Sequence, residues 1–577
     1  MKKTVLVVAL LCGIYFSTAN ILMPLFRGDD SYTQLAVNGV FAYSRDQTTY
    51  ASLARDFYEG NIPGDPTVYE YKGRINPFVP LVPTALLAAM SLLSGSVSGA
   101  FIAGNFIFPI IIFLIIYMLI YRRTGNIHLS ILAPVFMLIA FDYIVTPLVT
   151  LRNISYHATN ILDASGPLNY FGRIPHIQMT FIFLAISILL LYISMEKRKI
   201  FYSVLCGLVS GLLFYSYFFY WTIFAGVMAL HILYFAAKKN PGILKHAVII
   251  FAVFAAVSLP FWSSYASFDK SFLEDMSTRN GKTYSSPLPI AETAKYAVII
   301  AIFYALSKKD YFSFLMGSIL ISGILLMNSQ VITGFSIQKS HYEFAMAPFA
   351  AIMLVYALWH AAEKRFEPKK IGAILVIVLF SIGFYSQYSF AYNKHSLYSI
   401  DDSDKELYAW LDGNTEKDDV VLALSTEQSY LIPLYTHNNV YLPYGPYSLA
   451  PTDEIWERFY ISYSMLAVDE SHIRGMINNE ETRNSYIIDH RTNTFNKSSF
   501  EIAFWDLYLF SLEYGSGIPE PKKAEILEDY RRYSENATAW EKYRADYILI
   551  GPYERSAGAA APGDMVWENE KFSVHSR

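Results

Sequence analysis

The sequence predicts an α-helical polytopic membrane protein that carries a C-terminal α/β domain outside the bilayer. Three observations predict it. Long apolar runs recur through the first 390 positions, each near the roughly 20 residues that cross a hydrocarbon core of about 30 Å. Basic residues gather in the short connections between those runs. From Tyr392 onward, 186 residues hold 31 acidic and 17 basic side chains, whereas the preceding part holds 18 acidic and 28 basic. Hydrophobic residues make up 54% of the chain and charged residues 16%, a balance that a soluble chain does not show.

The expected spans, in order, lie near 4–26, 99–121, 128–147, 176–195, 200–217, 219–237, 244–262, 288–306, 311–328, 343–361 and 371–390. Alternate connections carry Lys2-Lys3, Arg122-Arg123, Lys197-Arg198-Lys199, Lys238-Lys239, Lys308-Lys309, and Lys364-Arg365 with Lys369-Lys370. With about eleven helices, all of these fall on one side, which the positive-inside rule makes cytoplasmic. The N-terminus is then inside, the acidic tail outside, and the location a plasma or inner cell membrane. The apolar stretch Thr4–Phe26 is longer than a usual signal core, which favours an uncleaved anchor over a signal peptide. Cys12 and Cys206 both fall inside spans, so no disulfide framework is expected. No basic surface points to nucleic acid. Sequons at Asn153, Asn496 and Asn536 all fall on the outer side.

The outer connections are the long ones. The first, 27–98, exceeds a simple helix–helix turn, and long loops in compact proteins usually carry function. Within it, Gln47–Tyr58 reads as a short helix with Asp46 as its N-cap. Pro77, Pro80 and Pro83 lead into Thr84–Leu93, too short to span and suited to the outer interface. Further outer connections run from Pro147 to Pro175, from Ser263 to Pro287, and from Asn328 to Tyr342. In the tail, Asp419–Leu424, Asn439–Leu442 and Tyr547–Gly551 read as short buried strands. Asp404–Leu411 and Pro521–Tyr533 read as helices, and Met565–His575 as a terminal hairpin. The expected division is a membrane domain, 1–391, and an outer α/β domain, 392–577.

The run Arg45-Asp46-Gln47-Thr48-Thr49-Tyr50, then Ala54-Arg55, Gly60-Asn61, Tyr69-Glu70-Tyr71-Lys72 and Pro77, resembles the first outer loop of the GT-C membrane glycosyltransferases. The branch it is most similar to holds the protein O-mannosyltransferases and aminoarabinose transferases. The resemblance implies a GT-C-like fold and a sugar donor carried on a polyprenyl phosphate. It implies an acidic residue soon after the first helix, followed by a short helix, a lysine and a proline-led apolar segment. Two departures stand out. The family often has Asp-Glu where this chain has Asp46-Gln47, and Lys-Pro-Pro where it has Lys72-Gly73-Arg74-Ile75-Asn76-Pro77.

Transfer from a lipid-phosphate sugar needs a base beside the acceptor hydroxyl, because deprotonation accompanies attack on the anomeric carbon. Asp46 has the placement for that role, its alternative being only the cap of the following helix. Asp29 and Asp30 follow the first span directly. They suit a metal or a sugar hydroxyl, or a solvated membrane flank. Glu70 is a candidate to orient the acceptor, or else an ion-pair partner of Lys72 or Arg74. The leaving phosphate needs fixed positive charge. Arg173, in Phe171-Gly172-Arg173-Ile174-Pro175-His176-Ile177-Gln178, lies where an outer loop meets a span. Lys339 and His341 lie at another such place, and Lys72 is a third candidate. Basic side chains at span ends also commonly snorkel to lipid headgroups. Asp142, inside a span, reads as a buried partner of a Tyr or Arg, and Tyr215–Trp221 as an interfacial aromatic belt.

The function expected is therefore that of an integral membrane glycosyltransferase. It would move a sugar, with inversion, from a polyprenyl-phosphate donor to a glycan, lipid or protein acceptor on the outer face. No tightly bound cofactor and no metal ligand set is assigned. A transporter or flippase of a lipid-linked glycan would place ionisable groups through the midplane and show repeated, broken helices. A non-catalytic scaffold of the same fold is the other alternative.

Overall fold

The computed structural model describes residues 3–28, 33, 42–62, 64–140, 170–280, 282–284, 287–363, 367–443, 445, 448–478, 520–536 and 538–577. Each of the eleven expected spans contains a helix. Seven are long and apolar enough to cross a membrane: Lys3–Arg27 (α1), Val97–Thr124, Gln178–Lys197, Phe218–Ala237, Tyr311–Thr333, His341–Ala362 and Pro368–Lys394. An eighth is a broken pair, Pro241–Val257 and Leu259–Tyr265, bent by 41°. Ile127–Ile139, Ile200–Tyr215 and Ile290–Leu306 are shorter. The expected extension of Ile127–Ile139 to 147, with Asp142, lies outside the described residues.

Local chemistry explains the turns. Gly125, at φ +64°, ends the Val97–Thr124 helix, a left-handed conformation that glycine adopts without a Cβ penalty. Asn126 then caps the next helix, its side chain accepting from the His128 and Leu129 amides. At the bend between Val257 and Leu259, the Tyr215 hydroxyl donates to the Val257 carbonyl at 2.9 Å and accepts from the Phe261 amide at 3.2 Å. In a bilayer no water would replace those bonds.

The basic connections converge on one end of the bundle. Arg122 pairs with Glu196, Arg123 with Asp310, and Asn126 donates to Glu363. The opposite end receives the first long loop and the tail.

In that loop the second helix, α2 (Ala42–Tyr58), is longer than expected. The expectation that Asp46 caps it is corrected: Asp46 is the fifth helical residue. Ala42–Arg45 contain neither glycine nor proline, so nothing stops the helix from beginning earlier. The proline-led segment forms a helix over Leu81–Ser94 and packs against α2.

A two-stranded ribbon, β1 (Lys282–Thr283) with β2 (Ser336–Ile337), joins two outer connections. The tail holds a five-stranded sheet ordered β4-β3-β5-β7-β6, with β3 Val420–Leu422, β4 Asn439–Val440, β5 Tyr547–Ile550, β6 Met565–Glu568 and β7 Ser573–Ser576. The pairings of β3 with β4 and β5 are parallel, and those of β7 with β5 and β6 antiparallel. The expected strands, helices and terminal hairpin of the tail are all present in outline.

Alternation along β3 decides what the sheet covers. Val420, Leu422 and Leu424 face a core shared with the Thr452–Met465, Glu470–Asn478 and Glu520–Ser534 helices. Val421 and Ala423 belong to the hydrophobic cluster that continues into the membrane helices. A strand buried on both faces is the normal situation of a parallel sheet. Glu554, 1% exposed, ties the strand ends together. One oxygen accepts from the amides of Leu424 and Ser425, and the other from Gly551.

Candidate active site

Two groups of expected site residues emerge, both at the tail-bearing end. The first surrounds Tyr217, which directly precedes the Phe218–Ala237 helix. His176 lies face to face with it, ring centroids 3.6 Å apart, and meets Thr180 through Nδ1 at 3.0 Å. The Tyr217 hydroxyl meets Nδ1 of His341, the first residue of the His341–Ala362 helix. The two histidine rings are nearly parallel, with centroids 6.3 Å apart. Arg173 is 9% exposed, and its charge acts on both rings.

His176 was not singled out from the sequence, although it stands three residues from Arg173. It is 6% exposed, and among the described residues its Nε2 has no hydrogen-bond partner. Gln178 is wholly buried beside it and reaches Asn105 at 3.5 Å. Glu343 fixes the start of the His341 helix by accepting from Lys295 at 2.5 Å and from the Tyr296 hydroxyl at 2.9 Å. Two imidazoles and a guanidinium held in a place of low exposure suit an anion whose charge grows during reaction. Lys339, by contrast, turns to the Pro287 carbonyl.

The second group joins the first loop to the tail. Glu70, on a short turn over Tyr69–Tyr71, pairs with Arg458 at 2.8 Å. The alternative of a pairing with Lys72 or Arg74 gives way to one with the tail. Arg458 is fully buried, also pairs with Glu454 at 2.8 Å, and stacks 4.0 Å from the Tyr543 ring centroid. Lys72 pairs with Asp418 of the tail and with Asp56 of α2, the latter at 3.3 Å.

Asp56 was missed from sequence. It is 6% exposed, and burial pushes its carboxyl up although the Lys72 charge opposes that. Asp65, wholly buried, accepts from Thr67 and Val68 on one oxygen and from Ser448 and the Leu449 amide on the other. Asp46 lies on α2, twelve positions before Tyr58 ends the helix. Asp29 and Asp30 lie outside the described residues. Among the described residues, no three His, Cys, Asp or Glu side chains are grouped to hold a metal ion.

No protein-family model matches this chain, and no curated protein matches it in sequence. Solved structures do match in fold. Apo ArnT from Cupriavidus metallidurans aligns with a TM-score of 0.50 at 10% identity, over 98% of this chain and 97% of that one. The same protein bound to undecaprenyl phosphate gives 0.49 at 11% identity, over 98% and 97%. An oligosaccharyltransferase from Archaeoglobus fulgidus, tethered with an acceptor peptide containing the NVT sequon, gives 0.46 at 12% identity, over 96% and 70%. The chain has a multi-pass membrane fold similar to that of apo ArnT, with a small C-terminal α/β region.

Proposed function

We propose that this protein is a membrane glycosyltransferase that takes a sugar from a polyprenyl phosphate and passes it to an acceptor on the extracytoplasmic face. The observation that carries the reading is the buried Arg173–His176–His341 group around Tyr217, at the end of the bundle remote from the basic connections. The first-loop motif around Asp46 and Lys72 supports it, and the aminoarabinose and O-mannosyl transferases are the branch it favours. The N-terminus is then cytoplasmic and the tail outside.

In this reading the acceptor hydroxyl attacks the anomeric carbon, and the bond from that carbon to the phosphate oxygen breaks. The hydroxyl proton passes to Asp46. The phosphate, a singly charged diester in the donor, leaves as a monoester with one more negative charge. Arg173 and His341, with His176 beside them, stabilise that added charge, which is where differential binding lowers a barrier. One displacement inverts the anomeric centre. Lys72, engaged by two carboxylates, serves the placement of α2, while Glu70 and the tail border the acceptor side. The acceptor is a hydroxyl of a glycan, lipid or protein.

The test is transfer of labelled sugar from cell-derived polyprenyl-phosphate donors in proteoliposomes, wild type against Asp46→Asn. The expected result is transfer by the wild type and a loss of about 10²-fold or more in the folded variant. A wild-type protein that transfers nothing from a broad donor set refutes the reading.

A further inference from the structure

The first loop and the tail are far apart in sequence, yet their polar side chains interlock along the C-terminal end of α2. Arg55 donates to Asp412 at 2.8 Å and to the Leu434 carbonyl at 3.4 Å. Lys72 bridges Asp56 and Asp418 and reaches Asn439 at 3.3 Å. Lys417 donates to the Glu59 carbonyl, which follows α2, at 3.1 Å. The β4 strand adds a main-chain bond, the Val440 amide donating to the Thr67 carbonyl at 2.8 Å. The Thr426–Tyr435 helix of the tail also packs directly on α2.

We infer that Asp412 and Asp418 of the tail are positioning residues: through Arg55 and Lys72 they set the orientation of α2 and thereby place Asp46. A helix transmits a tilt of one end to the other as a rigid rod. Asp46 stands ten residues from Asp56 on that rod, about 15 Å along its axis. A lateral error of about 1 Å at a reacting group can cost about 10²-fold in rate. Lys72 is 13% exposed and Asp418 26%, so that loop–tail pair is partly shielded from the solvent that weakens surface pairs. Asp412, 44% exposed, is the more solvated partner. The inference rests on the transferase reading, which makes the placement of Asp46 matter.

The double variant Asp412→Asn/Asp418→Asn removes both tail charges and leaves the Lys72–Asp56 pair inside the loop. The expected result is a fall of tenfold or more in kcat with KM within about twofold, and a much smaller fall for Asp412→Glu/Asp418→Glu. Wild-type kcat in the Asn variant overturns the inference. So does a loss confined to KM, or an equal loss in the Glu variant. Amide exchange over residues 42–58 provides a readout independent of transfer. Faster exchange in the Asn variant and not in the Glu variant supports the inference, and unchanged exchange overturns it. If the wild type transfers no sugar, the transferase reading fails, and the exchange result still decides whether the tail orders α2.

Discussion

His176 and His341 converge on one tyrosine: the first stacks on the Tyr217 ring at 3.6 Å, and the second meets its hydroxyl. Tyr217 thus couples two spans that are separate in sequence, and Arg173 sits close enough for its charge to reach both rings. A site built this way is held by aromatic packing.

Replacing Tyr217 with Phe keeps the stacking surface and removes the bond to His341. One hydrogen bond is worth about 1 kcal/mol net, so transfer is expected to fall about fivefold. Arg173→Gln removes a charge from the leaving-group side, and a loss of about 10²-fold in kcat is expected. Steady-state transfer in proteoliposomes measures both. An Arg173→Gln enzyme with wild-type kcat would remove Arg173 from the phosphate role.

What the sequence made legible, and what it hid, follows from the range of the interactions. The spans were visible because a run of about 20 apolar residues is a local signal. The tail strands were visible for the same reason, since Val420–Leu422 and Tyr547–Ile550 are short apolar runs between polar turns. The pairs of Glu70 with Arg458 and of Lys72 with Asp418 join positions hundreds of residues apart, and no local pattern announces them. The start of α2 was misplaced because Tyr43, Ser44 and Arg45 are as compatible with a loop as with a first helical turn. His176 was passed over because a lone histidine at a span end carries little information until its neighbours are known.

Arg458 tests the long-range part directly. It is fully buried between Glu70 and Glu454, with the Tyr543 ring against its guanidinium. Removing it takes the guanidinium from both carboxylates, although Glu454 keeps the Tyr71 hydroxyl and Glu70 is 32% exposed. The loss therefore falls at or below the low end of the roughly 3–5 kcal/mol that breaking a buried pair costs. Arg458→Met is expected to lower the unfolding free energy of the tail by about 1–3 kcal/mol. Denaturant unfolding followed by Trp fluorescence checks it, and a change below about 1 kcal/mol would show that the network is only incidental.

The tail also carries a pH dependence. Asp401 and Asp404 share Lys571, at 3.0 and 2.5 Å. Glu427 lies near them, and burial, with the Asp404 charge added, pushes its carboxyl up to about 7. Burial and Asp401 raise Asp404 as well. A carboxyl raised on folding binds its proton more tightly in the native state. Its stabilisation is therefore complete below the unfolded value, about 4, and is lost as pH rises through about 7. The wild-type Tm is expected to drop between pH 5 and pH 7.5 by more than that of Glu427→Gln. Equal drops in the two proteins would remove Glu427 as the cause.

The bend between the Pro241–Val257 and Leu259–Tyr265 helices offers the last test. Tyr215 closes that break with two bonds through one hydroxyl, to the Val257 carbonyl and from the Phe261 amide. The ring also packs edge-on against Phe261, so Tyr215→Phe changes little but the hydroxyl. The variant leaves two backbone groups without that partner in a region where water is scarce, at a cost of about 1–3 kcal/mol. It is expected to unfold at lower temperature in detergent, while Tyr217→Phe, which frees no backbone group there, changes Tm less. If the two variants melt alike, the bend is set by the Leu259-Pro260 sequence and helix packing, and the Tyr215 hydroxyl is dispensable to it.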